Sequence, residues 1–178
     1  MPNTYVKIAS VAVGSGGSSS MSFTSIPQTY TDLVVLGSTR STTTDAPLCY
    51  RLNSTTSGYT GRYVCGLGTT TESSTLTTLT AGAGGTWGRA ANVGNCVSSD
   101  TANTFASWTM YIPNYTSANN KSLSLDVVTE NNATAAYPEL DALLWSNTAA
   151  ITTVAFAVYN LGAFAQYSTA TLYGILKS

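Results

Sequence analysis

Apolar and polar residues alternate with a period of two along most of this sequence. TFASWTMYIP (Thr104 to Pro113) sets Ala106, Trp108, Met110 and Ile112 on one side and Phe105, Ser107, Thr109 and Tyr111 on the other, and the first set reads as the core face. SLSLDVVTE repeats the pattern, with Leu123, Leu125 and Val127 sharing a face and Asp126 pointing away from it. LCYRLN places Leu48, Tyr50 and Leu52 opposite Cys49, Arg51 and Asn53. TYVKIASVAV (Thr4 to Val13), MSFTSI and TDLVVLGSTR (Thr31 to Arg40) read as strands, the last apolar enough to be covered on both faces. LDALLW, ITTVAFAVY and QYSTATLYGIL add three more, and the last is predicted to tie the C-terminal region into a sheet.

The interruptions carry as much information. GSGGSSS, Pro27, STTTDAP and NYTSANNK are turn or loop chemistry, and STTSGY predicts a hairpin between LCYRLN and GRYVCGLG. From Thr69 to Val97 the alternation loosens, glycine and alanine gather around Trp87, and long loops with one or two short strands are expected. Apart from a short turn in NNATAAYPELDA, no segment has a capped 3.6-residue apolar period. About nine or ten strands separated by turns predict an all-β single domain over residues 1–178, a β-sandwich for which a jelly roll is the first choice. There is no internal repeat.

Charge narrows the function. Only 8% of the residues are charged, against about 25% in an average soluble protein, and serine and threonine supply much of the polarity. The seven cationic residues are scattered singly and the net charge is −1, so the footprint of a nucleic-acid binder is missing. A surface with so little charge offers weak repulsion between copies and suits a protein that works assembled. MPNTYVKIAS has neither a cationic n-region nor an apolar h-region, and no run of 18 apolar residues follows, so neither a signal peptide nor a membrane span is expected. Cys49, Cys65 and Cys96 are odd in number and far apart, which predicts buried free thiols, not disulfides or a zinc site. The sequons at Asn53, Asn114, Asn120 and Asn132 are those expected by chance in a chain rich in serine and threonine.

The chain has no histidine, which removes Ser-His-Asp and Cys-His chemistry, and neither GSGG nor GAGG leads into the lysine of a phosphate-binding loop. Half of the eight acidic residues, Asp126, Glu130, Glu139 and Asp141, fall between Leu123 and Asn147. A glycosidase pair would need two of them across a cleft. Glu139 and Asp141 flank Leu140, so if Leu140 packs inward both acids leave the core face and read as sheet-edge charges that discourage unwanted pairing. Asp126, Glu130, Asn131 and Asn132 have oxygen donors suited to calcium but lack the spacing of an EF-hand loop. No cofactor, metal or catalytic residue is predicted. The candidate contact for a glycan or a partner subunit is Trp87 in its glycine-rich loop, together with Tyr59, Arg62 and Tyr63 in or beside a turn, while Trp108 and Trp145 read as core.

Several stretches, TYVKIASVAVGSGG, FTSIPQTYTDLVV, YIPNYTSANNKSLSLDVVTENNATAA, LWSNTAAIT and FAQYSTATLYGILKS, resemble small virion-type proteins and fibre-terminal domains of tailed bacteriophages, especially those of cyanobacterial and other aquatic hosts. The resemblance covers the first forty residues and nearly everything after Phe105, and in the middle extends only to the style of the loops. It implies a non-enzymatic structural protein of the particle with a jelly-roll-like fold, made in the host cytoplasm and built into the virion, where it is a homotrimer. Its expected partners are its own copies, the major capsid protein or other virion proteins, and host surface polysaccharide. It supplies no catalytic or ligand-binding residues. A capsid decoration or cement protein, or a head or tail fibre, is the leading expectation. A lectin-like receptor-binding module is the alternative, and a glycan-cleaving enzyme using the Asp126 to Asp141 acids comes third.

Overall fold

A computed structural model describes residues 4–130 and 136–176. Within them the backbone forms thirteen strands and no helix: β1 (Tyr5–Ala12), β2 (Ser20–Phe23), β3 (Asp32–Thr39), β4 (Leu48–Leu52), β5 (Tyr59–Leu67), β6 (Thr70–Leu76), β7 (Thr78–Thr80), β8 (Thr86–Ala91), β9 (Ala106–Ile112), β10 (Lys121–Glu130), β11 (Ala136–Trp145), β12 (Val154–Val158) and β13 (Thr169–Ile175). They make two antiparallel sheets, eight strands in the order β1-β13-β3-β9-β10-β11-β5-β6 and five in the order β2-β12-β4-β8-β7. The result is the expected β-sandwich, with more strands than the sequence predicts because the segment from Thr69 to Val97 holds three of them.

Alternation decides what faces inward. Along β10 buried and exposed residues alternate without a break, and β9 buries Ala106, Trp108, Met110 and Ile112 as its sequence implies. One apolar core collects residues from both sheets, among them Trp108, Trp145, Tyr50, Tyr115 and Phe156. Trp108 lies across Gly37, its register partner on β3, and tilts onto Phe156 of the other sheet at a centroid distance of 4.8 Å. The edge strand β6 is serine, threonine and glutamate with almost every residue exposed, a composition that resists further strand addition.

One sequence expectation is overturned here. β4 and β5 are not a hairpin: β4 pairs with β12 and β8 in the smaller sheet, whereas β5 pairs with β11 and β6 in the larger. STTSGY is a turn that carries the chain from one layer to the other. Tyr59 clamps this passage, accepting a hydrogen bond from the Leu52 amide at 2.9 Å and setting its ring edge-to-face on Tyr50.

The three cysteines are free and fully buried, and burial pushes the thiols up, that of Cys49 to about 12 and that of Cys65 to about 11. We expect none of them to react with an aromatic disulfide reagent at pH 8 until denaturant is added, when all three react. One equivalent released rapidly from the native protein would show a thiol that the fold leaves accessible.

Candidate functional site

The register of the larger sheet fixes which side chains share its outer face. One row reads Lys7, Tyr173, Val34, Tyr111, Ser124, Ala142, Arg62 and Thr75, and the next reads Ser10, Thr171, Leu36, Thr109, Asp126, Leu140, Val64 and Ser73. A third row carries Ser107, Val128 and Pro138. An antiparallel sheet with one face in water normally turns polar residues outward. Here Leu140, Val128, Tyr5, Val64, Leu36 and Tyr111 are exposed on that face, six of the nine large exposed hydrophobic residues among those described.

A groove of about 530 Å³ crosses the face where side chains are small. Ser122, Ser124 and Ala142 form its floor, Tyr111 and Pro113 one wall, and Arg62, Val64 and Leu140 the other. Its walls are held in place: the Tyr111 hydroxyl donates to Asp32 Oδ2 at 2.8 Å, the Asn114 amide to Asp32 Oδ1 at 2.7 Å, and Arg62 Nη1 to Thr75 Oγ1 at 2.7 Å. Arg62 and Asp126 are the charges nearest the apolar centre, on strands either side of β11.

The inner face of the same strands holds the acids that the sequence places outward. Glu139 and Asp141 are buried at 4% and 1% exposure while Leu140 is 53% exposed, so the expected arrangement is reversed. With a side-chain period of two, sending Leu143 and Trp145 into the core sends Asp141 and Glu139 with them. Glu139 is well satisfied, accepting the Asn92 amide at 2.6 Å and the Val93 amide at 3.0 Å just beyond β8. It thereby ties one sheet to the other. Asp141 accepts no hydrogen bond from a neighbouring N–H or hydroxyl, and its carboxyl is paired with that of Glu139, a contact that needs a proton on one of the two acids. Burial, reinforced by the Glu139 charge, lifts Asp141 far above the usual carboxylate range, so it holds its proton. Burial also raises Glu139, against the pull of the two amides and of the Arg89 charge. The side chains of both acids are buried on the inner face, although Asp141 also contributes to the lining of the groove on the other side of the sheet.

The residues singled out from the sequence do not form one patch. Arg62 is exposed on the outer face, lining the groove, but Tyr63 beside it turns inward and donates to Glu72, and Tyr59 is inward too. Burial and the adjoining Glu72 raise the Tyr63 phenol to about 12. Trp87 is not in a loop: it belongs to β8 in the smaller sheet, is 5% exposed, and has the Arg51 guanidinium 4.0 Å over its ring. Tyr59, Tyr63 and Trp87 therefore offer no open ring to a sugar. Of the calcium candidates, Asp126 and Glu130 share a face but stand about 13 Å apart along β10. Asn131 and Asn132 lie outside the described residues, among which no group of three cysteine, aspartate or glutamate side chains is placed to hold a metal ion.

The apolar outer face has no single motif behind it, yet Val128 beside Val127 and Leu140 on the opposite parity to Leu143 are its traces in the sequence. Comparison with protein-family models, with curated proteins and with solved structures returned no match.

Proposed function

We propose that this chain is a non-enzymatic structural protein of a tailed-phage particle, a capsid decoration or cement protein or part of a head or tail fibre, and that it works by covering apolar surface against its own copies or other virion proteins. The observation that carries this reading is the outer face of the eight-stranded sheet, where large hydrophobic residues occupy positions that water normally claims. The weak charge of the chain and the resemblance of its first forty residues and of nearly everything after Phe105 to virion-type proteins support it. Asp126 faces outward while Glu139 and Asp141 are buried on the inner face, which weighs against the glycan-cleaving alternative.

A second reading keeps the groove for a host glycan, with the Tyr111 ring, the Arg62 guanidinium and the hydroxyls of Ser122 and Ser124 as its contacts. This replaces the group centred on Trp87. Immunogold labelling and mass spectrometry of purified virions test both readings at once. Gold over the head is expected for a decoration protein or head fibre, gold confined to the tail directs the groove towards host polysaccharide, and absence of the protein from virions overturns the proposal.

A further inference from the structure

A sheet face with this much exposed apolar surface needs a cover, and its charges say what kind. Arg62 on β5 and Asp126 on β10 are both exposed, have opposite sign, and are separated by the single strand β11. Leu140 and Ala142, the outward residues of β11, lie between them as the neighbours of Asp126 and Arg62 respectively. Suppose two copies meet face to face about an axis that lies in the contact plane along β11. β10 of each copy then passes over β5 of the other, and Leu140 meets its own equivalent near the axis. Asp126 and Arg62 stand one row apart. That gap is two residues of strand, about 7 Å, which the reach of an arginine side chain spans. The Arg62–Asp126 pair thus forms twice, once at either side of an apolar centre.

The size of the face agrees. About an axis on β11 the five strands from β9 to β6 cover their counterparts; about 4.8 Å apart and some seven residues long, they present roughly 550 Å² per copy, about 1,100 Å² in all, which clears the roughly 1,000 Å² that a specific interface needs. A different protein would have to bring its own matched charges. A second copy brings them by symmetry, because an isologous contact uses one patch twice.

We propose that the outer face of the eight-stranded sheet pairs two copies of this chain about a two-fold axis along β11, with Arg62 of each copy against Asp126 of the other. The pairing gives a surface to the self-association in the proposed function and depends on that reading only for its place on a particle. A ring of three uses two different patches on each copy; one self-complementary face makes a pair, where the resemblance implies a trimer.

Sedimentation equilibrium of the full chain, with four variants, is the test. The expected mass is twice 18.5 kDa. Arg62→Glu and Asp126→Arg should each weaken the pair by about tenfold or more, since each sets like charges together. The double variant Arg62→Glu with Asp126→Arg should recover to within about threefold of the unaltered chain. Leu140→Asp should leave monomers. All three positions carry exposed side chains, and circular dichroism will confirm that each variant keeps its strands. A mass of one chain or of three at the same concentration overturns the proposal, as does a double variant no tighter than the single ones. A chain that pairs as expected but is missing from virions leaves the interface standing and removes the particle role instead.

Discussion

Gly37→Ala is expected to cost this fold about 3 kcal/mol or more, the upper part of the range for forcing a methyl group into a packed core. A Cβ at position 37 would sit 2.1 Å from Cε2 and Cζ2 of the Trp108 indole. The ring has nowhere to retreat. Its Nε1 donates to Thr39 Oγ1 at 3.0 Å, that hydroxyl donates onward to the Gly94 carbonyl at 3.0 Å, and Phe156 packs against the ring. The backbone of β3 is held as firmly, paired on one side with β13 and on the other with β9. Urea unfolding should show a lower midpoint with an unchanged slope, and the melting temperature should fall by roughly 6–12 °C. Gly14→Ala is the control, since a Cβ there meets nothing within 4 Å. If the two variants are equally stable, the indole does not lie across Gly37.

The second large effect is a gain. Asp141→Asn should raise stability at pH 8 by up to about 5 kcal/mol, because an amide is neutral without taking up a proton on folding and can still donate to the Glu139 carboxylate. The variant should also change the pH dependence. In the unfolded chain the Asp141 carboxyl loses its proton near pH 4, whereas in the folded protein it keeps the proton to much higher pH. The native state then binds more protons than the unfolded one, so stability is greatest below about pH 4 and declines as pH rises towards the folded value. This one proton gives a slope of about 1.4 kcal/mol per pH unit, or roughly 4 kcal/mol between pH 4 and pH 7. Urea midpoints measured from pH 4 to pH 9 should fall steeply for the unaltered chain and much less for Asp141→Asn. Parallel curves would mean that Asp141 is already ionised in the folded state.

The same residues show how far sequence reasoning reaches. Alternation located β9 and β10 and identified their core faces because each has apolar residues on one parity and mostly polar residues on the other. LDALLW offers apolar residues on both parities, so period two alone cannot choose between Leu140 and Leu143. The choice is made by Trp145, which fills the core and donates to Thr55 Oγ1 across the sandwich at 3.1 Å. Pairing was the least legible level. LCYRLN and GRYVCGLG both have strand chemistry, and a turn between two sheets uses the same residues as a turn within one. The glycines around Trp87 make it read as a loop residue, but Gly88 serves a strand: the Tyr59 ring lies 2.8 Å from where its Cβ would be. Of the candidate contact residues, only Arg62 is on an open face, since alternation sends its neighbour Tyr63 to the other side. The groove beside it is lined by four strands, the meander β9-β10-β11 and the distant β5, an arrangement that no short motif encodes.

The first strand of the larger sheet lies beside the thirteenth, and β5 lies beside β11. Only the meander β9-β10-β11 and the pair β5-β6 are built from consecutive strands of that sheet. Closing the other contacts means bringing together residues scores of positions apart before any of the resulting burial is gained, so folding should be slow, on the order of milliseconds to seconds. The meander is the natural nucleus, and until β5 docks on β11 its edge is an open template for another chain. Crowded synthesis at high copy number would therefore favour conditions, or helpers, that keep half-formed sheets apart.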